Sequence, residues 1–392
     1  MNPMDCHPER IAAPLRRVLL GIGLCLGSLC AAQQAQAHSF EQAVVKDPTA
    51  SFIDVPARRA YLQKAVTEGQ LDDRLRSALP AIEDCRSTPR IQAQTGPMVI
   101  PSRYFSGNTG AIHPDYERVV ALYRDFEDSL GRLSSLYVLT GNSDYAGCVL
   151  DQLADWADAG ALLDYTPSER KQAWYQTEWS VGVAAMSLSL VITDPALDAG
   201  KKTRVLDWLK RVSYKQISEP GADISCCNNH SYWRGLQATM IGALTGDDAL
   251  YRWGLGRYAQ GIGQIAADGS FPLEMTRREQ ALHYQNYALQ PLTMIAQIAS
   301  RQGLDLYAYR ENGRDIHDAV RFTLAAIQDE TLIARHASEK QNRRAFAAGR
   351  GDLAWMEYYR TRFPLPDLGP LLSKPFFYPR NGGAVTLFVY TP

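Results

Sequence analysis

From residue 51 to about residue 300, the apolar side chains recur mainly at the spacing of one helix face, segment after segment. A chain patterned in this way cannot bury its apolar stripe as a sheet, because strand side chains alternate with period two. Residues 118–140 carry the pattern most clearly: Val119, Val120, Leu122, Tyr123, Phe126, Leu130, Leu133, Leu136 and Tyr137 form one broad face, and Gly141-Asn142 stops the run. The same reading predicts helices over 145–159, 172–192, 196–213, 230–244, 247–265, 285–300 and about 313–331. The helix over 247–265 is the weakest of these, because Gly254, Gly256, Gly261 and Gly263 each disfavour it. Successive helices joined by short Gly, Asn or Asp-Pro connections make antiparallel neighbours, so the expected class is all-α, a toroid or solenoid of helical hairpins. No fixed-period repeat names a standard repeat family. The stretch 382–390 reads differently, as a short strand or an extended tail packed on the helices. No linker is long enough to argue a second domain.

With 41 basic and 42 acidic side chains the chain is close to neutral, so no global charge argues for nucleic acid or a membrane surface. Any site for a polyanion must be locally positive. The first 37 residues read as a cleaved export signal: Arg10, Arg16 and Arg17, an apolar run from Val18 to about Ala32, and the small-x-small site Ala35-Gln36-Ala37. Cleavage after Ala37 would leave His38 first, make the mature protein periplasmic and leave one domain over 38–392. Cys25 and Cys30 each follow a leucine, which argues against a lipid anchor. Four cysteines remain, an even number in an oxidising compartment. Of the three possible pairings, Cys85–Cys148 with a vicinal Cys226–Cys227 bridge is expected, because adjacent cysteines reach two separate partners poorly. No CxxC or close His/Cys spacing marks a metal site.

Two loops stand out. Residues 96–115 make a long loop of the kind that often serves as a lid or binding loop, though composition alone fits a plain surface connection equally well. Residues 218–229 deliver the chain to Cys226-Cys227-Asn228-Asn229-His230-Ser231-Tyr232-Trp233, which sets an amide and an imidazole side by side at a helix start. Taken alone, an Asn there is an ordinary N-cap. A second stretch offers Arg277 and Arg278, then His283-Tyr284; taken alone these are solvated arginines and a core tyrosine. Together they supply what β-elimination from a uronate needs. The C5 proton of a 4-linked uronate is a poor acid while its carboxylate is ionised. Asn and Arg donors on that carboxylate offset the charge that builds up, a base takes the proton, and an acid protonates O4. Tyrosine serves as both where proton and leaving group share a ring face, as in mannuronate. In guluronate they lie on opposite faces, so His would be the base and Tyr the acid. A tyrosine base needs nearby positive charge to lower its ordinary pKa of about 10, and Arg277 is the candidate. This scheme calls for no metal or cofactor.

At these residues the chain resembles the alginate lyases of polysaccharide lyase family five. The resemblance rests on Asn-Asn-His-x-Tyr-Trp at 228–233, Arg277, Ala-Leu-His-Tyr at 281–284 with Asn286, the cysteine pattern, and Arg380-Asn381-Gly382-Gly383. It implies an incomplete α/α toroid. It also implies that Asn229 and Arg277 neutralise the carboxylate, that His230 is base for one epimer and neutraliser for the other, and that Tyr284 is the acid and the syn base. Tyr104 would sit on a lid. Gln172, Tyr175 and Trp179 would line a sugar-binding helix, and Arg380 would meet a neighbouring carboxylate. The implied substrate is alginate, poly-β-D-mannuronate first, but two departures leave the preference among mannuronate, guluronate and glucuronate open and raise the alternative of a broader polyuronate lyase for polyglucuronate or hyaluronan-like chains: Arg278-Glu279-Gln280 is less basic than the family pattern, and Gln285 stands where many members have His.

Other residues read as ordinary. His317 and His336 are expected to pack or face solvent, the basic run 335–350 to be a solvated helix face, and Trp156, Trp174, Trp208 and Trp253 to be mostly core. Two other classes compete with a lyase. A glycoside hydrolase would need a pair of cleft carboxylates, for which Glu178, Glu274 and Asp268 are available. A non-catalytic exopolysaccharide-binding protein would not need both His230 and Tyr284. The expected partner is an anionic polysaccharide, with no nucleic acid and no membrane anchor, and the expected state is a monomer.

Overall fold

The computed structural model describes residues 40–392 except 107, 108 and 222. The expected signal segment, its cleavage site after Ala37 and His38 lie outside the described residues. The chain divides into two units, Met1–Gln42 and Ala43–Pro392; the second is described below. It is an incomplete α/α toroid. Its elements in order are α1 (Val55–Thr67), α2 (Asp73–Ala78), a hairpin of β1 (Tyr104–Ser106) and β2 (Thr109–Ile112), α3 (Pro114–Thr140), α4 (Ser143–Asp158), α5 (Lys171–Val191), α6 (Ala199–Ile217), α7 (Asn229–Thr245), α8 (Asp248–Gly263), α9 (Pro272–Met275), α10 (Ala281–Arg301), α11 (Ile316–Gln328), α12 (Thr331–Ala334), α13 (Trp355–Arg360) and α14 (Val385–Val389).

Every second long helix packs on the next one of its kind: α3 on α5, α5 on α7, α7 on α10. These form the inner ring. Helices α4, α6, α8 and α11 are their hairpin partners outside. The burial pattern separates the two layers. On α5 every residue from Ala173 to Val191 is buried, whereas α6 buries only the stripe Val205, Trp208, Leu209, Val212, Ser213 and Gln216. Between α10 and α3 no further hairpin among the described residues completes the ring; α13 packs on α10, and α14 on α13 and α3. Fully buried Trp156, Trp208, Trp233 and Trp355 anchor the core, each worth a few kcal/mol of burial, about 3 kcal/mol for a large aromatic. Trp156 stacks on Phe126 with centroids 3.6 Å apart.

Local chemistry sets the ends. Gly141 stops α3 in the left-handed conformation, φ 70°, and its N–H donates to the Tyr137 carbonyl. Asp198 caps α6 by accepting from Lys201 N, so that helix starts three residues later than expected and runs on to Ile217. One of the glycines that disfavour α8, Gly254, instead allows its contact with α7, as Gly242 does from the α7 side. A Cβ on Gly254 would lie 2.6 Å from the Gly235 carbonyl, and one on Gly242 would lie 2.4 Å from Tyr251 N. The packing gained outweighs the helix propensity lost.

Two expectations need correction. The C-terminal segment is not a strand or an extended tail: a 3-10 turn over Pro379–Asn381 leads through Gly382 and Gly383, both at positive φ, into α14. A Cβ on Gly383 would meet the Gly131 carbonyl at 2.7 Å, and Ala384 N donates to Ser135 Oγ, so close docking on α3 overrides the strand preference of Val, Thr and Phe. The basic run 335–350 is not a helix face either; it is irregular apart from a 3-10 turn at Arg344–Phe346. Both expected disulfides, Cys85–Cys148 and Cys226–Cys227, are formed. Among the described residues no helix is long and apolar enough to cross a membrane.

Candidate active site

The hairpin topology makes α3, α5, α7 and α10 run the same way, so their N-terminal ends collect at one mouth. There they surround a cleft of about 440 Å³. From α3 comes Tyr116; from α5 Lys171, Gln172, Tyr175 and Trp179; from α7 Asn229 and His230; from α10 His283, Tyr284 and Tyr287. The β1 hairpin adds Tyr104, with Arg103 just before it, and the turn before Gly382 adds Arg380. All nine residues expected to catalyse or bind therefore line one cavity. Its lining cations are Arg103, Arg170, Lys171, Arg277 and Arg380, against the acids Glu169 and Asp352. Four helix N-termini add to that positive field. An almost neutral chain thus carries a locally cationic cleft. A second cavity of about 640 Å³ shares Arg103, Tyr104, Trp179, His283 and Arg380, and extends the groove past Arg124, Arg344 and Arg350.

The centre of the site is tightly held. Asn228 caps α7, its Oδ1 accepting from His230 N. Asn229 N and Nδ2 both donate to the buried Glu274 carboxylate, at 2.7 and 3.0 Å. Burial pushes the Glu274 carboxyl up to about 7, although the Asn229 hydrogen bonds and Arg277 pull the other way. His230 Nδ1 lies 2.6 Å from Glu178 Oε1, and the Tyr175 ring stacks on the imidazole at 3.6 Å. Burial, then Arg234, Arg277, Lys171 and Arg103, depress the His230 pKa. The Arg277 guanidinium lies 3.7 Å from the centroid of the Tyr284 ring. Tyr104 is pushed up to about 12 by burial and by the adjoining Tyr284 phenol, against the pull of Arg103. Arg380 donates to Glu127 at 2.9 Å and covers the Trp179 ring at 4.3 Å. The loop before α3 carries the antiparallel β1–β2 pair, which presents Tyr104 to the cleft and leaves Phe105 65% exposed.

Sequence reasoning missed several of these groups. Arg103, Tyr287 and Asp352 carry no motif. Glu178 and Glu274 were read as possible hydrolase acids; both are buried, clasp His230 and Asn229, and do not line the cleft. Asp268 pairs with His336 at 2.7 Å outside the cleft. Neither carboxylate is marked by its neighbours in the chain: Glu178 lies among Gln176, Thr177 and Ser180, and Glu274 shortly precedes Thr276 and Arg277. His317 packs against Phe363 and bonds Tyr359, as expected. Trp156, Trp174 and Trp208 are core, while Trp253 is half-buried under Arg257. Among the described residues no group of three or more His, Cys, Asp or Glu is arranged to hold a metal ion.

Comparison with known proteins places this geometry. A polysaccharide lyase of Stenotrophomonas maltophilia K279a is 34% identical over 263 residues, covering 66% of this chain and 76% of that one. The crystal structure of alginate lyase A1-III from Sphingomonas species A1 is 57% identical, with TM-score 0.86 over 91% of this chain and 99% of the other. A tyrosine-to-phenylalanine variant of alginate lyase A1-III complexed with a tetrasaccharide is 56% identical, with TM-score 0.87 over the same shares. The sequence model for alginate lyase matches residues 75–333, and with that match over most of the chain, on this fold and around this cleft, the protein belongs to the alginate lyase family.

Proposed function

We propose that the cleft cleaves alginate, with poly-β-D-mannuronate as the foremost substrate, and that Asn229, His230, Arg277 and Tyr284 carry the reaction. As an alginate lyase family member the chain is a polysaccharide lyase acting by β-elimination. In the assigned mechanism Asn229 and Arg277 hold the C6 carboxylate and offset its growing charge. The Tyr284 phenolate takes the C5 proton, the C4=C5 double bond forms as the C4–O4 bond breaks, and the same phenol returns its proton to O4. His230 donates to the carboxylate during mannuronate elimination and takes the C5 proton of guluronate. Tyr104 closes over the bound sugar. Gln172, Tyr175, Trp179 and Arg380 hold neighbouring residues of the chain. The observation that carries this reading is Arg277 stacked on Tyr284, in one cationic cleft with Asn229 and His230. The tetrasaccharide complex of the Tyr-to-Phe variant of alginate lyase A1-III supports a catalytic tyrosine in the family.

The test is ultraviolet absorbance of the unsaturated uronate during incubation with polymannuronate, polyguluronate and polyglucuronate, with and without chelator. A rise that survives chelator and disappears in Tyr284→Phe supports the assignment. No rise on any of the three from folded protein would sink it. A broader polyuronate specificity is the second reading, favoured by Glu279, Gln280 and Gln285, where the chain departs from the family pattern. We further propose export to the periplasm, cleavage after Ala37 and action as a monomeric single domain over 38–392. N-terminal sequencing and sedimentation of the exported protein check these points.

A further inference from the structure

We propose that Glu178 is a positioning residue that sets which proton state His230 presents to the cleft. The inference rests on the assignment of His230 above. Glu178 projects from α5 with its side chain wholly buried, and His230 opposite it is 13% exposed. Glu178 Oε1 and His230 Nδ1 share one short hydrogen bond of 2.6 Å. The other carboxylate oxygen, Oε2, is buried with no hydrogen-bond partner among the described residues. The Tyr175 ring lies flat on the imidazole, at 14° and 3.6 Å, and resists ring rotation. With Nδ1 committed to Glu178, Nε2 is the nitrogen left for substrate.

The two groups therefore titrate as one unit. With two protons on the pair, Nε2 carries a hydrogen whether the shared proton rests on the carboxyl or on Nδ1. His230 is then a donor, suited to a substrate carboxylate. With one proton on the pair, that proton lies between Oε1 and Nδ1, and Nε2 presents a lone pair, suited to removing a C5 proton. The occupancy of Glu178 thus selects between the two roles that mannuronate and guluronate require. An unpartnered imidazole in this position would be fixed by neither state.

The surroundings bear on the pair from every side. Lys171 and Tyr175 face it from α5, Tyr165 from the turn before α5, Arg234 from α7, Tyr287 from α10, Arg277 from the turn before α10, Arg103 from the lid and Arg380 from the C-terminal turn. The cations favour the one-proton state, whose net charge is negative, and burial opposes it. A bound substrate carboxylate adds negative charge and returns the pair toward the two-proton donor state.

The test combines nitrogen NMR of histidine-labelled full-length protein with initial rates on polymannuronate and polyguluronate, from about pH 5 to about pH 9. The His230 signals are assigned by their loss in His230→Ala. In the wild type, Nε2 should pass from hydrogen-bearing to lone-pair character, and the guluronate-to-mannuronate rate ratio should rise by up to about tenfold per pH unit below the transition. In Glu178→Gln the imidazole can titrate only on its own, and burial with the surrounding arginines and Lys171 depresses its pKa, so Nε2 should hold one state across this range and the ratio should become flat. Wild-type Nε2 that does not titrate over this range overturns the proposal without any variant. So does Glu178→Gln that lowers both rates in proportion with the pH profile unchanged, as a purely structural role would give. If Nε2 follows Glu178 but His230→Ala leaves both rates intact, the coupling stands and the catalytic assignment of His230 falls.

Discussion

The Arg277 guanidinium lies 3.7 Å from the centre of the Tyr284 ring, so the proposed proton carrier and the proposed carboxylate neutraliser are one stacked unit. Charge that forms on the substrate carboxylate and charge that leaves the phenol fall beside the same cation. Tyr284→Phe removes a single hydroxyl. It keeps that stack and the edge-on contact with Tyr287 at 6.1 Å. The variant should fold normally and lose about 10³-fold or more in kcat, with KM little changed. Arg277→Lys keeps the charge but loses the planar fork and the stack, and should cost about 10²-fold in kcat/KM. Steady-state elimination rates on polymannuronate check both. A Tyr284→Phe enzyme within about tenfold of wild type would remove Tyr284 from the chemistry.

The cleft sets five cations against two acids in a chain that is nearly neutral overall. Attraction of a polyanion to such a groove is screened by salt, with a Debye length of about 10 Å at 0.1 M. Raising ionic strength should therefore raise KM for polymer while kcat changes little. Arg344→Ala and Arg350→Ala, in the adjoining cavity, should raise KM for long chains and leave that for the shortest cleaved oligomer unchanged. Equal effects on both lengths would place these arginines outside the path of the polymer.

How much of this was readable from sequence depends on the range over which each feature is decided. The helical hairpins and their stops follow from local periodicity and caps, and the ordered motifs single out Asn229, His230, Arg277 and Tyr284, which the fold brings into one cleft. What escaped is decided by tertiary contact. Helix α8 forms despite its glycines because Gly254 lies against the Gly235 carbonyl of α7. The C-terminal segment turns at Gly382 and Gly383 because it docks on Gly131 and Ser135. Glu178 and Glu274 looked like candidate acids for hydrolysis because their sequence neighbours do not reveal that each is buried against the residue beside it in space. Arg103 precedes Tyr104 with no motif at all, and it joins the site only because β1 pairs with β2 beside the cleft.

Glu274 and His283 make opposing contributions to the pH dependence of stability. Burial raises the Glu274 carboxyl from 4.5 to about 7. Between those values the folded state holds a proton that the unfolded chain has lost, so stability falls as pH rises through the window. Burial lowers His283 from 6.5 to about 4. Between those values the unfolded chain holds a proton that the folded state lacks, so stability falls as pH drops. Each contribution is on the order of 3 kcal/mol, and the two windows overlap. Relative to wild type, Glu274→Gln should show stability rising more steeply with pH from about 4.5 to about 6.5, and His283→Phe should show it falling. Urea unfolding at a series of pH values reads both slopes. Identical slopes in all three proteins would mean that neither group is shifted in the folded state.

The two disulfides should fail in different ways, because they fasten different things. Cys85–Cys148 spans 63 residues of sequence and ties the segment before the lid to α4. The same segment is fastened there by Tyr145 Oη donating to the Glu83 carbonyl at 2.7 Å and by Gln152, whose side chain bonds Ile91 N and O at 2.7 and 2.8 Å. Closing a loop of that length is worth about 4 kcal/mol in the chain-entropy account. Cys85→Ser with Cys148→Ser should lower the unfolding free energy by about that much, raise KM through a looser lid base and leave kcat nearly intact below the new melting range. Cys226–Cys227 closes no loop of chain to speak of. It immediately precedes Asn228, whose side chain caps α7 and so sets the start of the helix that carries Asn229 and His230. Replacing Cys226 and Cys227 by Ser should change Tm little and lower kcat, through looser placement of the Asn229 amide. Calorimetry and steady-state kinetics on the two double variants separate these effects. If the vicinal pair changed Tm alone and left kcat untouched, the position of Asn229 would be set by Glu274 without help from the bridge.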